Sequence, residues 1–169
     1  VDIIRSRKPF GIDPKAKIKK EQSDGSIKVY AYPDNGYISR SMVTQNSEWI
    51  DEYKVMIAKA YGERGDFPYL MIGKPFVAEK GACCTETYLV IGPFGNRKIC
   101  ENVISYVRTK FFRFLVLQKK NTQNAAKGVY EFVPLQDFSK PWTDEELYKK
   151  YKLTDEEIQF IESMIRPME

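Results

Sequence analysis

The sequence predicts an α+β fold: a curved, mainly antiparallel sheet, one long amphipathic helix across it and two short C-terminal helices. Three observations lead to this prediction. Several segments rich in β-branched and aromatic residues are separated by turn residues. One long stretch has apolar residues at helical spacing, and two acidic capping sequences stand near the end of the chain. With 169 residues, 43% of them hydrophobic, the chain is long enough to bury a core.

The N-terminal part combines a basic segment with a predicted hairpin. Residues 1–26 predict an irregular basic arm, because proline and glycine interrupt every longer pattern there. Ile27 to Tyr32 predicts a strand, closed by a Pro-Asp-Asn-Gly turn at 33–36. Tyr37 and Ile38 begin the returning strand, and Glu48 to Tyr53 predicts a short helical turn.

The central part predicts two further strands around a loop. Lys54 to Tyr61 alternates as a strand does, with Val55 and Ile57 on one face. Residues 62–75 hold three glycines and two prolines and predict a loop. Thr85 to Ile91 is the strongest strand candidate, ended by Gly92-Pro93.

The clearest helix is predicted from Arg97 to about Lys120, with Asn96 as its N-cap. Its apolar stripe is formed by Cys100, Val103, Ile104, Val107, Phe111, Phe114 and Leu115. The opposite face carries Arg108, Lys110 and Arg113 and is expected to be exposed. Tyr130 to Leu135 predicts one more strand.

Two capping boxes predict the last two helices. Thr143 is followed three residues later by Glu146, and Thr154 by Glu157, and an apolar helical pattern follows each pair. We therefore divide the chain into a body at 1–139 and an acidic helical extension at 140–169 that packs on it.

Composition excludes several kinds of site. The chain has no histidine, so it lacks a Ser-His-Asp triad and a Cys/His zinc finger. Its three cysteines, Cys83, Cys84 and Cys100, lack metal-binding spacing and are expected to be buried. Their odd number, with no signal peptide, indicates a reducing, cytoplasmic location. No apolar run is long enough for a membrane span. A first residue that is valine, not methionine, indicates a piece excised from a longer protein.

The net charge of +4 is unevenly distributed. Residues 1–127 hold 22 Lys/Arg and 13 Asp/Glu, whereas residues 128–169 hold 5 and 10. A basic body with an acidic end is typical of nucleic-acid binding, although a lysine-rich surface also serves solubility.

Two segments have the chemistry for DNA contacts. The predicted exit of the long helix offers cations for phosphates and amides for base edges: Lys119, Lys120, Asn121, Thr122, Gln123, Asn124 and Lys127. The glycine-rich loop and its entry interleave aromatic and cationic side chains: Lys59, Tyr61, Arg64, Phe67, Tyr69 and Lys74. The alternatives are a solvated helix end and an ordinary surface loop.

A loose nuclease pattern remains as an alternative. Asp34 followed by Glu52 and Lys54 matches the arrangement in which carboxylates hold Mg²⁺ and a lysine assists the attacking water. The pattern is short, and the residues around Asp34 are explained equally well by a turn. A protein-interaction module that docks a partner through the acidic helical end is a further alternative.

Several segments resemble the C-terminal region of adenine-specific DNA methyltransferases from type II restriction–modification systems. The resemblance runs in order over nearly the whole chain. It lies in Ser6 to Gly11, Tyr53 to Val55, Lys59 to Gly62, Cys84 to Tyr88, Thr109 to Phe114, Lys120 to Gln123, Phe132 to Phe138 and Trp142 to Tyr148. It implies a target-recognition domain for double-stranded DNA over residues 1–139.

The resemblance also implies what this chain lacks. In that family an upstream methyltransferase domain holds S-adenosylmethionine and an Asn-Pro-Pro-aromatic catalytic motif, and neither the motif nor a nucleotide-binding glycine fingerprint occurs here. We therefore expect no catalytic residue, metal or cofactor in this chain, with S-adenosylmethionine belonging to the upstream domain. Arg5, Arg7 and Lys8 are expected on phosphates, and Arg64, Lys74 and Asn121 to Asn124 in the groove.

Overall fold

The computed structural model describes residues 3–60, 66–119 and 127–169. Strands and helices occur together, as the α+β prediction requires. In these residues the strands are β1 (Ile4–Arg5), β2 (Ser26–Tyr30), β3 (Gly36–Ser39), β4 (Tyr53–Ala58), β5 (Phe76–Ala78), β6 (Ala82–Cys84) and β7 (Tyr88–Phe94). The α-helices are α1 (Arg97–Val107), α2 (Lys110–Leu117), α3 (Asp144–Lys150) and α4 (Asp155–Met164), and 3₁₀ turns span Arg40–Met42, Ser47–Asp51 and Lys127–Tyr130.

The strands of the described residues form two sheets. Sheet A has the order β1-β7-β4-β5 with antiparallel neighbours throughout. Sheet B has the order β3-β2-β6, in which β2 is antiparallel to β3 and parallel to β6. The expectation of a mainly antiparallel arrangement is confirmed, but it is divided between two sheets.

Each face of sheet A borders its own core. On one face, Val55, Ile57, Leu89 and Ile91 pack with all four helices. On the other face, Met56, Ala78 and Val90 pack against sheet B. β4 is therefore buried on both faces, which is why Lys54 to Ile57 are all inaccessible and the predicted alternation fails.

The first segment is irregular as predicted, apart from β1, one isolated bridge and the start of β2, but it packs on the body. β1 pairs with β7, and the side chains of Phe10 and Ile12 are buried beside sheet B. The amide of Asn46 donates to the carbonyl of Pro9 at 2.7 Å, and the Thr44 hydroxyl donates to that of Gly11 at 2.8 Å. Buried apolar side chains among the cations give this segment a fixed path that its prolines and glycines did not indicate.

The long helix is interrupted. α1 ends at Val107 and α2 begins at Lys110, because the Thr109 hydroxyl accepts a hydrogen bond from the Phe112 amide as a new N-cap. The Asp144 carboxylate adds two acceptors for the amides of Lys110 (3.0 Å) and Phe111 (2.8 Å). The apolar period continues across the break, so periodicity alone predicted one helix. Asn96 caps α1 as predicted.

The predicted strand at Thr85 to Ile91 is present but begins and ends three residues later, and the strand predicted at Tyr130 to Leu135 is wrong. Thr85 to Thr87 form a turn in which the Tyr88 amide donates to the Thr85 carbonyl, and β7 instead runs on through Gly92-Pro93 to Phe94. Pro93 is exposed, so the amide it lacks is not needed in the core. The Tyr130 to Leu135 segment is a 3₁₀ turn followed by irregular chain, with Tyr130 buried against the helices.

The two C-terminal helices are confirmed, and both capping boxes are complete. Their apolar residues Leu147 and Ile161 belong to the helical core. The chain after α4 returns to residues 66–75, where Ile165 forms a parallel bridge with Tyr69. The last helices are thus built into the body.

Two buried cations hold the fold together. Arg113, predicted to be exposed, is only 1% accessible, and its guanidinium donates to the backbone carbonyls of Thr109, Leu70, Arg166 and Arg108. Lys54 is fully buried, and its ammonium group donates to the carbonyls of Glu52, Glu79 and Ile50.

All three cysteines are free and buried, as expected. Among the described residues no helix is both long enough and apolar enough to cross a bilayer.

Candidate nucleic-acid interface

One end of sheet A gathers chain segments that are distant in sequence. β7 is antiparallel to both β1 and β4, and β4 is antiparallel to β5. β1 and β4 therefore end where β5 and β7 begin. The strand register places Arg5, Val90, Met56 and Phe76 in one row across the sheet. At roughly 4.8 Å per strand pair, this row is about 14 Å wide.

Five of the predicted DNA-binding cations leave or enter this end, which we call the loop end. Arg7 and Lys8 follow β1, Lys59 follows β4, and Lys74 precedes β5. Lys127 joins them because its amide donates to the hydroxyl of Ser6, next to Arg7, at 3.1 Å. Topology thus gathers residues from four separate parts of the sequence at one end of a sheet.

These five cations are available for a ligand. In the described parts of the chain none of them makes an ion pair. All are exposed except Lys59, which is half-buried. Burial lowers the pKa of Lys59, and the nearby Glu86 carboxylate partly offsets that effect.

Two other predicted cations have protein contacts. Arg5 is half-buried, with its guanidinium 5.6 Å from the ring centre of Trp49 and a hydrogen bond to the Ile4 carbonyl. Lys119 pairs with Glu131 at 2.7 Å and lies over the ring of Phe132. The structure places neither of them among the free cations of the loop end.

The remaining predicted site residues lie outside the described residues: Tyr61, Arg64, Lys120, Asn121, Thr122, Gln123 and Asn124. The chain enters and leaves their two segments at described positions. Ala60 and Asp66 flank the first segment, and Lys119 and Lys127 flank the second. Lys127 borders the loop end through its bond to Ser6.

The sequence did not predict an aromatic cluster that lies beside the loop end. The rings of Tyr30, Phe76 and Tyr88 contact one another with centroids 4.9 to 6.3 Å apart, and all three are half-buried. The Thr85 amide donates to the Tyr30 carbonyl at 3.0 Å and ties this end of sheet B to the loop end. Tyrosine and phenylalanine at strand termini were the only available signal, and strand packing explains them equally well.

The C-terminal residues brace the loop that carries Lys74. The amide of Tyr69 donates to the Met164 carbonyl, and the amide of Arg166 donates back to the Tyr69 carbonyl. Arg113 bonds the carbonyls of Leu70 and Arg166 and so joins loop and tail. Phe67, which precedes this bracket, is 62% exposed. The acidic extension thus positions a candidate DNA-contacting loop.

The nuclease pattern gains no support from this geometry. Lys54 is buried with its ammonium group on three backbone carbonyls, so it does not face solvent. Asp34 is exposed in the turn after β2. Within the described ranges, no three of the acidic, cysteine or histidine side chains are grouped as a metal-ion site.

Comparisons of the chain with protein-family models, curated proteins and solved structures find no significant match.

Proposed function

We propose that this chain recognises double-stranded DNA in a sequence-specific manner and serves as the target-recognition part of an adenine-specific methyltransferase of a restriction–modification system. The observation that carries the DNA-binding part is the loop end of sheet A. There, cations from four parts of the sequence converge, and none of them forms an ion pair in the described chain. The methyltransferase part rests on the resemblance described above.

The dimensions of the loop end suit a duplex. Its width of about 14 Å is close to the roughly 12 Å of a major groove. Cations spread over such a width reach phosphates on both sides of a groove, and these contacts position a protein without reading sequence. The segment at 61–65 follows Ala60 after β4, and the segment at 120–126 ends before Lys127, which borders the loop end. Their sequences contain Arg64, the asparagines and the glutamine, which are side-chain types that read bases.

On this proposal the chain presents an adenine to a methyltransferase domain, which turns the base out of the duplex. S-adenosylmethionine belongs to that domain, and this chain contributes position and specificity. The absence of histidine fits a part of the enzyme that transfers no proton.

The first experiment selects duplexes from a randomised pool with the 169-residue chain and measures affinity against salt. We expect enrichment of a defined site and a log–log slope of at least about −4 to −5, to which each of the five cations contributes about one unit. Replacing Arg7 and Lys74 by glutamine should reduce the slope by about two. The control replaces Lys98 and Lys149, two exposed helical lysines, and should leave it unchanged.

The outcomes separate the two parts of the proposal. A chain that binds no duplex, or binds one without salt dependence, would end the DNA-binding part. The methyltransferase part is tested on the reading frame upstream of Val1, where an Asn-Pro-Pro-aromatic motif is expected. A frame without that motif removes the methyltransferase and leaves DNA binding to be judged by the selection.

A further inference from the structure

The outer face of sheet B is polar and cationic. Along β2, Ile27 and Val29 are buried while Ser26, Lys28 and Tyr30 alternate onto the opposite face. In β3, Tyr37 and Ser39 lie directly across from Lys28 and Ser26. The preceding segment extends this face, because the backbone groups of Lys19 and Tyr37 bond each other in both directions at 2.8 and 2.9 Å.

This face borders a groove of about 320 Å³. Its lining includes the side chains of Lys17, Lys19, Ser26, Tyr37, Ser39 and Asp24. Lysines and hydroxyls are donors to anionic oxygens, and a tyrosine ring provides a flat wall for a sugar. Ile38 and Met42 make part of the lining apolar, and its polar residues are suited to a phosphate diester.

The charges of this groove are not used by the fold. Lys17, Lys19 and the neighbouring Lys15 and Lys20 are exposed, and none of them is in an ion pair within the described residues. Lys28 lies 4.8 Å from the ring centre of Tyr30, half-way along the strand. Asp24 is the one carboxylate in the lining, so the lysines outnumber it.

We propose that the outer face of sheet B, with the groove at Lys17 and Lys19, is a second contact for the DNA backbone, separate from the loop end. This inference rests on the proposed DNA-binding function and extends its footprint. The ligand class is a phosphodiester strand of a duplex flanking the recognised site.

Spacing along β2 connects the two contacts. Ser26 borders the groove and Tyr30 borders the loop end through its bond with Thr85. Four residue steps of about 3.3 Å separate Ser26 from Tyr30, so the groove lies about 13 Å from the loop end along β2. At about 3.4 Å per base pair, this offset corresponds to about four base pairs, with Lys28 midway. The distance between the two contacts is thus within the length of one short duplex.

The test uses the full 169-residue chain and a 30-base-pair duplex of arbitrary sequence, because backbone contacts do not depend on sequence. We expect replacement of Lys17 and Lys19 by glutamine to weaken binding about 10-fold or more at 0.1 M salt. The slope of log affinity against log salt concentration should become shallower by about two units. The Asp24→Asn change should tighten binding about twofold by removing a repulsive charge. The Lys98→Gln/Lys149→Gln chain is the charge-matched control, and circular dichroism melting confirms that all variants fold.

Each result decides the inference. If the unmodified chain binds the duplex and the Lys17/Lys19 variant retains its affinity and slope, the second contact is overturned and the proposed function stands. If the unmodified chain binds no duplex, both fall. If single-stranded RNA of equal length binds more tightly and depends on the same lysines, the duplex assignment is overturned. The second contact is established if the Lys17/Lys19 variant loses duplex affinity and salt slope while the Lys98/Lys149 control keeps both.

Discussion

The helical region and the N-terminal region use their cations in opposite ways. On the helices and their connections, Arg97, Lys98, Lys110, Lys119 and Lys140 each pair with a carboxylate. Between residues 3 and 42 there are nine cations and four carboxylates, and Arg40 forms an ion pair with Asp51. The helical region pairs many of its cations with carboxylates, whereas most cations of the N-terminal region form no ion pair in the described chain.

The comparison separates cations that stabilise the fold from cations that serve binding. Arg113 and Lys54 are the extreme of the first group, since both are buried and saturated with backbone carbonyls. Arg7 and Lys17 are the extreme of the second, since both are exposed and unpaired in the described chain. The same kind of substitution should therefore affect stability in one group and DNA affinity in the other.

The largest expected effect on stability is that of Arg113→Met. The change leaves four carbonyls without a donor and uncouples the tail from the loop, so we expect a loss of about 3 to 5 kcal/mol in the free energy of unfolding. Arg7→Met, the same change at an exposed site, should stay within about 0.5 kcal/mol. Urea denaturation measures both. Equal losses at the two sites would contradict the division of roles.

The second effect is a pH dependence set by Lys54. Burial lowers its pKa from the ordinary 10.5 to about 8, so above pH 8 the unfolded chain holds this proton more firmly than the folded chain. Stability should rise from pH 8 towards 9, by at most about 1.4 kcal/mol per pH unit.

Above pH 9 the buried thiols oppose this rise. Burial raises the pKa of Cys100 to about 11 and that of Cys83 to about 12, so the unfolded chain loses these protons first and stability falls. A maximum near pH 9 is expected in urea titrations under reducing conditions. In Lys54→Met the rise should vanish and the fall remain; a rise that persisted would assign it to another group.

The third effect concerns the break between α1 and α2. Asp144→Asn removes the negative charge and one acceptor from the amides that begin α2, at an expected cost of about 1 to 2 kcal/mol. Asp155 also stands in the first turn of a helix but makes no bond to another element in the described chain. Asp155→Asn should cost only a few tenths of a kcal/mol in the same thermal unfolding assay. If the two variants were equally stable, the bond between helices would have no energetic role.

The smallest expected effect is that of Lys119→Gln. Its partner Glu131 is exposed, and solvent screens such pairs, so the midpoint of thermal unfolding should not change measurably. The pair instead withholds Lys119 from DNA. Glu131→Gln should therefore tighten duplex binding slightly while leaving the midpoint in place, and weaker binding would show that Glu131 itself serves the interface.

Local signals predicted the fold best. The capping boxes at Thr143 and Thr154 are complete within four residues, so sequence sufficed to place both C-terminal helices. The break at Thr109 also has a cap residue, but its second support comes from Asp144, which is 35 positions away in the sequence. The apolar periodicity carries no information about such a contact, so it predicted one continuous helix.

Tertiary contacts decided the rest. The burial of Lys54 and Arg113 depends on carbonyls contributed by other elements, and no local pattern indicates it. For the candidate site, residue type correctly pointed to Arg7, Lys74 and Lys127 as exposed cations, but only strand register brings them to one end. The alternating Lys15, Lys17 and Lys19 were a readable signal for the second contact and were assigned to an irregular arm.

The bridge between Tyr69 and Ile165 has a consequence for the timing of synthesis. The loop that carries Lys74 leaves the ribosome first, and Ile165, which brackets that loop, is made 96 residues after Tyr69. Sheet B and the groove at Lys17 lie within the first half and can assemble without that tail. On the proposed function, a nascent chain would acquire its backbone contact before its reading loop is braced, and a stalled chain would hold DNA without the geometry to select a site.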